Sequence, residues 1–392
     1  MIPPFPLDER RRRLALVIEK YPPFIGGAER QAELLARLLS GRLGSCDVFT
    51  AQRGARSAPG AARLHGLGTA RRIALRHPLN LAAGLLAFAR RGRQYAVVHA
   101  FGLSGLACGA VLGASARGCA TVVKLCAVGP EGDVAKLARH PVGRHVWPMV
   151  RRRAAFVVPS PQLVSAAVAA GVPPDRIAVI PNALAPETAA ADAPPRADAR
   201  ARLGLPERLT VLFVGRLVRD KGLDVLAQAW DRFAADRDAT LVIVGDGPGR
   251  ADLERWARRA GHGERVRLAG ARPDVQPYYR AADVLVVPSR TETFCNVLAE
   301  GMAHGLAAIT TPVGLAVHWI RDGDNGLLVP VEGAPALAGA LAHLAGDAAL
   351  RARLGRAARR DARTEFAADA VTDHHVELYE RLLSGAPRAA AV

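Results

Sequence analysis

Short apolar runs alternate with helical patterns along almost the whole chain, and that alternation is the signature of parallel β-sheets built from β-α-β units. A first set reads LALVIE, CDVFT, AVVHA, TVVKLCA, FVVPS and IAVIPN; a second reads TVLFVGR, ATLVIVG, VRLAG, VLVVPS, AAITT and GLLVP. Two similar sets predict two similar α/β domains. A length of 392 residues, half of them hydrophobic, suffices for two cores of ordinary size. Between the sets, LAPETAAADAPPRADARAR (184–202) lacks a strand pattern and is rich in Ala and Pro, so it is expected to be the interdomain linker. The expected boundaries are therefore 1–183, the linker 184–202, 203–365, and a terminal helical segment with its tail, 366–392.

Within the second set, SRTETFCNVLAEGMAHG carries two acidic residues, Glu292 and Glu300, in an otherwise apolar stretch. Glu292 follows the strand pattern VLVVPS, and Glu300 lies in the first turns of a helix expected to begin near Asn296. An ionised carboxylate offers acceptors and no donor, which suits a vicinal diol such as that of a sugar or ribose. Between the two, the N–H groups of Thr293, Phe294, Cys295 and Asn296 open the helix, where unpaired amides and the helix dipole attract a phosphate. A carboxylate, an anion cradle and a second carboxylate together describe a sugar nucleotide.

Upstream, Gly215, Arg216, Lys221 and Gly222 lie in FVGRLVRDKG, where a buried strand gives way to a helix. Ligands of doubly wound folds gather beyond the carboxyl ends of the strands. Fixed cations there can stabilise the charge that grows on a departing nucleoside diphosphate. Lys20, Lys124, Lys136 and Lys221 are the only lysines among 53 basic residues, which suggests that a compact point charge is wanted at Lys221. The competing reading is two ordinary surface cations at a helix start. Gly26 and Gly27 follow the first strand and precede the helix pattern AERQAELLARLL; paired glycines allow close approach of a backbone to a ligand. Glu29 and Arg30 read as scaffold of that helix.

The run from Glu292 to Glu300 resembles the E-x7-E element of the family 4 retaining glycosyltransferases. VLFVGRLVRDKGLDVLAQAW, LVIVGDGPGRADLERWARRAG and AAITTPVGLAVHWIRDGDNGLLVP are similar to neighbouring parts of that family, so the resemblance covers Leu209 to Pro330 nearly continuously. In the first half it rests on YPPFIGGAERQAELLARLL, AVVHA and RIAVIPN. The resemblance implies the GT-B fold, two Rossmann-like domains with parallel sheets facing a cleft, with the last helical pattern, Phe366 to Leu383, crossing back onto the first domain. It also implies a retaining transfer of a hexosyl group from a nucleotide sugar, UDP-linked in preference to GDP-linked, to a glycan or lipid-linked acceptor in cell-surface polysaccharide or glycolipid synthesis. Arg216 and Lys221 would hold the diphosphate, Glu292 the sugar hydroxyls and Glu300 the ribose diol. Gly27, Gly215, Phe294, Cys295 and Asn296 would complete the donor site, with no metal and no cofactor. A sugar-nucleotide epimerase on the same fold, or a non-catalytic glycan-binding partner, stays open as an alternative.

Several positions depart from that family's pattern. Cys126 stands where many members have a histidine facing the transferred sugar, leaving Lys124 and Asp133 as candidate substitutes. Ala183, Thr293 and Cys295 replace common glycines, and His318 a common glutamate. His99 ends a strand pattern and reads as a core histidine as readily as a sugar contact.

Cys46, Cys108, Cys119, Cys126 and Cys295 form no C-x-x-C pair, so neither a zinc site nor a disulfide framework is expected, and a reduced cytoplasm fits. Asp236-Arg237-Asp238 and Asp322-Gly323-Asp324 match D-x-D by pattern only and read as turns. GDGPGR (245–250) lacks the third glycine of a dinucleotide fingerprint. The opening MIPPFPLDERRRR is too polar for a signal peptide. Ala96 to Ala116 has membrane-spanning length without a charge, yet contains His99 and four glycines and reads as strand, loop and helix.

The net charge of +17 comes entirely from the first 180 residues. Such asymmetry suggests an anionic partner for that half. Without interleaved aromatics or a recognisable module, nucleic acid is not expected. An anionic membrane is, through residues 71–95, where Leu79 to Ala89 is flanked by Arg71, Arg72, Arg76, Arg90, Arg91 and Arg93, and through Arg151 to Arg153. The expected location is cytoplasmic and peripheral on the inner face of the membrane.

Overall fold

The computed structural model describes residues 13–21, 26–52, 63–67, 73–127, 132–189, 195–235, 237–259 and 262–385. Arg71, Arg72, Asp236 and the opening MIPPFPLDERRR lie outside these residues, as do the side chain of Arg76 and the loop residues 22–25 and 128–131. The chain divides into two compact units, 1–183 with 368–392, and 184–367.

Among the described residues the first unit carries seven parallel strands: β1 (Leu14–Ile18), β2 (Cys46–Thr50), β3 (Leu64–Gly66), β4 (Val97–Phe101), β5 (Ala120–Lys124), β6 (Ala155–Val158) and β7 (Ile177–Val179), in the order β3-β2-β1-β4-β5-β6-β7. Strands β1, β2 and β4 are buried along their whole length, which is why they read as continuous apolar runs. Strand β3 was not expected. It has three residues, pairs among the described residues only with β2 in register Val48↔Leu64, and needs no apolar run because little of it is buried. The helix Ala368–Ser384 belongs to this unit, with Arg42 paired to Asp373 and His99 Nδ1 2.7 Å from the Tyr379 hydroxyl.

The second unit has six parallel strands: β8 (Leu209–Val214), β9 (Ala239–Val244), β10 (Val266–Gly270), β11 (Val284–Val287), β12 (Ala307–Thr310) and β13 (Leu327–Leu328), in the order β10-β9-β8-β11-β12-β13. Leu212, Leu285 and Ala308 face one core; Val211, Val284 and Ile309 face the other. In both sheets the chain winds outward over three strands and then returns beside its starting strand, placing a topological switch point at β1/β4 and at β8/β11.

Residues 184–202 are not simply a linker. A helix, Arg196–Leu203, occupies part of the stretch, and its Ala199 and Arg200 are buried in the second unit. Arg200 donates to Asp283 Oδ2 at 2.6 Å, Glu207 Oε2 at 3.0 Å and the Ala281 carbonyl at 3.0 Å, so a sequence that reads as polar is anchored by ion pairing. Ala96–Ala116 comprises β4 and the helix Gly105–Ser115; among the described residues no helix is long and apolar enough to cross a membrane.

Candidate functional site

The loops leaving β8 and β11 meet at the switch point of the second sheet. After β8, the Gly215 N–H donates to the Val244 carbonyl at 3.0 Å, Leu217 is buried, and a single 3-10 turn, Arg219–Lys221, ends on Gly222. Gly222 has φ +65°, and a Cβ there would lie 2.0 Å from the Pro288 carbonyl oxygen, so only glycine lets the two loops touch. The Arg290 N–H then donates to the Asp220 carbonyl at 2.8 Å.

That contact brings together two residues 71 positions apart. Lys221 Nζ lies 2.6 Å from Glu292 Oε1, and the Ser289 hydroxyl donates to the same oxygen at 2.8 Å. Ser289 is fixed in turn, its carbonyl accepting from the Thr311 hydroxyl at 2.6 Å. The carboxylate side chain of Glu292 is 10% exposed and the Lys221 side chain 22%, so the pair is shielded without being sealed. With two donors on Oε1, Oε2 keeps acceptor capacity for a hydroxyl. Behind them Gly314 has φ +60°, and a Cβ on it would come within 2.7 Å of both Glu292 Cβ and the Phe294 carbonyl.

Cys295 occupies the N-cap position of the helix Asn296–Ala303 with φ +80°, a left-handed conformation that costs a side chain about 1 kcal/mol. Glycine would sit there unstrained. Burial, and then the neighbouring Glu292 charge, push the Cys295 thiol well above its ordinary range, so it is a neutral thiol. Asn296 begins the helix, and half-buried Glu300 lies in its second turn. The Phe294 ring is turned into the core against Phe366 and Trp319, so its side chain is packing and only its main chain is left to face a ligand. Arg216 is exposed at the start of the β8 loop.

Gly27 belongs to the first unit, where it opens the helix Gly27–Leu43, the next element after β1. The Glu29 carboxylate folds back over Gly26, at which a Cβ would lie 2.1 Å from Oε2. Gln31 fixes this helix to the end of the sheet: its Nε2 donates to the Ala183 carbonyl at 2.9 Å, and its Oε1 accepts from the Ala183 N–H at 3.1 Å. His99 is fully buried, stacked on Phe101, and held neutral because burial drives its pKa far down. Asp133 Oδ2 accepts from the N–H groups of Cys126 at 2.7 Å and Ala127 at 3.1 Å, so that carboxylate shapes the loop after β5. Lys124 is 4% exposed, and burial lowers its pKa to about 8. Ser289, Arg290, Thr311, Gly314 and Gln31 were not singled out from sequence, since each acts through a contact with a distant loop.

Two doubly wound parallel sheets, the second with a Lys–Glu pair at its switch point, define the GT-B class of two Rossmann-like domains. Solved structures agree over nearly the whole chain. The sucrose-phosphate synthase from Thermosynechococcus elongatus superimposes with a TM-score of 0.78 at 24% identity, covering 96% of this chain and all of that one. Anabaena HepE in complex with UDP-glucose gives a TM-score of 0.78 at 20% identity, covering 93% and 98%. Residues 25–188 match the model of Glycosyltransferase Family 4 and residues 208–347 that of Glycosyl transferases group 1, and the chain belongs to this glycosyltransferase family. Among curated relatives, the lipopolysaccharide core biosynthesis glycosyltransferase LpsE of Rhizobium meliloti is 33% identical over 180 residues, 46% of this chain and 52% of that protein. A D-inositol 3-phosphate glycosyltransferase of Acidothermus cellulolyticus is 38% identical over 201 residues, 48% and 44%. The chain thus spans about half the length of the curated relatives it matches.

Proposed function

We propose that this chain is a retaining glycosyltransferase that moves a hexosyl group from a nucleotide sugar, UDP-linked in preference to GDP-linked, to a glycan or lipid-linked acceptor in cell-surface glycan synthesis. The observation that carries the reading is the Lys221–Glu292–Ser289 cluster at the β8/β11 switch point, where α/β sheets take their ligands. Arg216 and Lys221 hold the diphosphate beside Gly215, Glu292 takes the sugar hydroxyls through Oε2, and the main chain at the start of the helix Asn296–Ala303 faces the phosphates. Glu300 holds the ribose diol. Gly27, at the first unit's own switch point, offers main chain that a ligand can approach closely. Same-face attack by the acceptor hydroxyl, its proton passing to the leaving phosphate, keeps the anomeric configuration and needs neither metal nor cofactor. The preference for UDP is supported by Anabaena HepE, a structural relative solved with UDP and with UDP-glucose.

Thermal unfolding against a panel of UDP and GDP sugars tests this directly, because a donor that binds the folded state raises apparent stability by mass action. A UDP sugar is expected to give the largest shift; no shift with any nucleotide sugar would overturn the reading. Once the donor is known, Glu300→Ala is expected to weaken its binding by about 2 kcal/mol, the scale of a lost charge-assisted hydrogen bond. Glu292→Ala should act mainly on turnover. Calorimetric titration beside transfer rates separates the two, and unchanged values in both variants would remove the assignment.

We further propose that the first unit docks reversibly on an anionic membrane. The helix Ile73–Arg91 packs one face closely on the helix Gly105–Ser115, where a Cβ on Gly109 would lie 2.1 Å from the Leu81 carbonyl. Its other side exposes Leu79 at 42% and Leu86 at 52%, Leu85 is 40% exposed at the edge of the packed face, and exposed Arg90, Arg91 and Arg93 follow. Met149, Arg152 and Arg153 are likewise exposed, whereas Arg151, the third member of that basic cluster, is half-buried and donates to the Gly171 carbonyl at 2.9 Å. Apolar side chains bordered by arginines suit a headgroup layer, each arginine adding about 1 kcal/mol near an anionic surface. Sedimentation with phosphatidylglycerol vesicles is expected at low salt and lost at high salt. Leu86→Asp should weaken it about tenfold, the scale of one unburied leucine. Equal binding to neutral vesicles would overturn the anionic requirement, and no binding to anionic ones would leave a non-membrane acceptor as the reading.

A further inference from the structure

We propose that Arg290 is a positioning residue of the transfer reaction: a clamp that joins three loops of the second unit and thereby holds Lys221 against Glu292. The assignment rests on the donor-site reading of that pair. Arg290 directly follows Ser289, whose hydroxyl donates to Glu292, and its side chain is only 15% exposed. All five guanidinium N–H donors have acceptors. Nη1 donates to Asp224 Oδ1 at 2.9 Å and to the Arg219 carbonyl; Nη2 donates to Asp224 Oδ2 at 2.8 Å and Glu332 Oε2 at 2.7 Å; Nε donates to Glu332 Oε1. The two carboxylates are therefore each bound by a fork, a geometry that a lysine cannot reproduce.

The acceptors report where the clamp acts. Asp224 lies in the helix Leu223–Phe233 that follows the Lys221 turn, and Glu332 in the loop after β13. Within the turn itself, the Arg219 carbonyl takes the guanidinium and the Asp220 carbonyl takes the Arg290 main-chain N–H, so the two residues before Lys221 are both fixed by Arg290. Glu332 has φ +62°, one of two non-glycine residues with positive φ among the described residues; the other is Cys295, beside Glu292. Backbone strain of this kind persists only where surrounding contacts over-determine it, and it gathers at functional sites. Both strained positions adjoin the same pair of loops. Two exposed carboxylates and a guanidinium would contribute little as surface ion pairs alone; their value lies in fixing the loop that carries the ammonium.

The test is a set of variants of the full chain, assayed for transfer from the UDP sugar that stabilises it most, with thermal unfolding measured in parallel. Arg290→Ala is expected to lower the transfer rate roughly thirtyfold, Arg290→Lys to recover less than about a third of it, and Asp224→Asn, at an exposed side chain, to cost about threefold with the folded fraction intact. The decisive readout is coupling. If Arg290 acts through Lys221, then in a Lys221→Ala background Arg290→Ala costs less than about threefold more, whereas in a Glu300→Ala background the loss of about thirtyfold remains. The same loss in both backgrounds would make Arg290 a stabiliser of the fold and overturn the proposal, as would full activity of Arg290→Ala beside an inactive Lys221→Ala. Full activity of Lys221→Ala would instead overturn the donor-site reading, and the clamp with it.

Discussion

Alanine at Lys221 is expected to lower the transfer rate at least about a hundredfold, the scale seen when a preorganised donor aimed at developing charge is removed. Breaking the glycosidic bond leaves its electron pair on the nucleoside diphosphate, so a fixed ammonium nearby stabilises the transition state more than the bound donor. Lys221 is suited to this because its position is set before any ligand arrives: Gly222 brings its turn against Pro288, and Glu292 holds its ammonium at 2.6 Å. Arg216→Ala is expected to cost about as much if the exposed guanidinium completes the diphosphate site. Lys221→Arg should also be damaging, because a planar fork seated against one carboxylate oxygen shared with Ser289 must displace its neighbours. Transfer rates at saturating donor decide these cases. Full rate in Lys221→Arg would end the point-charge argument, and full rate in both alanine variants would end the diphosphate assignment. Lys221→Ala leaves Glu292 without its cation, so unfolding must be followed alongside to separate a loss of chemistry from a loss of about 1 kcal/mol in stability.

The parts of this molecule that were legible in the sequence are those whose physics is local. A parallel strand covered on both faces must be apolar throughout, so LALVI and VLVV declare themselves, whereas LHG is held by backbone pairing to β2 and carries no such demand. RADARARL reads as solvent-exposed linker because nothing nearby in sequence reveals that Arg200 meets Asp283, 83 positions away. At the site, Lys221 and Glu292 stood out singly, the one by rarity and the other by its place after an apolar strand. Their pairing could not be read, since it depends on one close backbone approach at Gly222. Ser289, Arg290 and Gly314 escaped notice for the same reason: each matters only for what a loop from another strand presents to it. Cys295 is the intermediate case. The family resemblance marks it as a replaced glycine, and its left-handed backbone supplies the reason glycine is common there.

Lys124 is expected to make the folded protein less stable at neutral pH than a neutral side chain of similar length would. It ends β5, in register with Phe101 and Val157, and its 4% exposure leaves the ammonium largely without water. No carboxylate pairs with it among the described residues. Asp133 is committed to the N–H groups of Cys126 and Ala127, while His99 and His375 on its neighbouring elements are kept neutral by burial. Burial therefore lowers the Lys124 pKa from 10.5 to about 8. Between those values the unfolded chain holds a proton that the folded chain has released, so stability rises with pH across that window, and below it the full penalty applies. At about 1.4 kcal/mol per unit the penalty reaches about 3 kcal/mol. Lys124→Met should raise stability at pH 7 by up to about that amount, and its advantage should shrink as pH approaches 10.5. Denaturant unfolding of both proteins from pH 7 to 10 measures the difference, in which other groups titrating over the same range cancel. A less stable variant, or parallel curves, would show that the ammonium is solvated or paired. If Lys124 supplies the hydroxyl contact expected at this strand end, the stabilised Lys124→Met protein is expected to lose transfer activity, measured as the transfer rate at saturating donor.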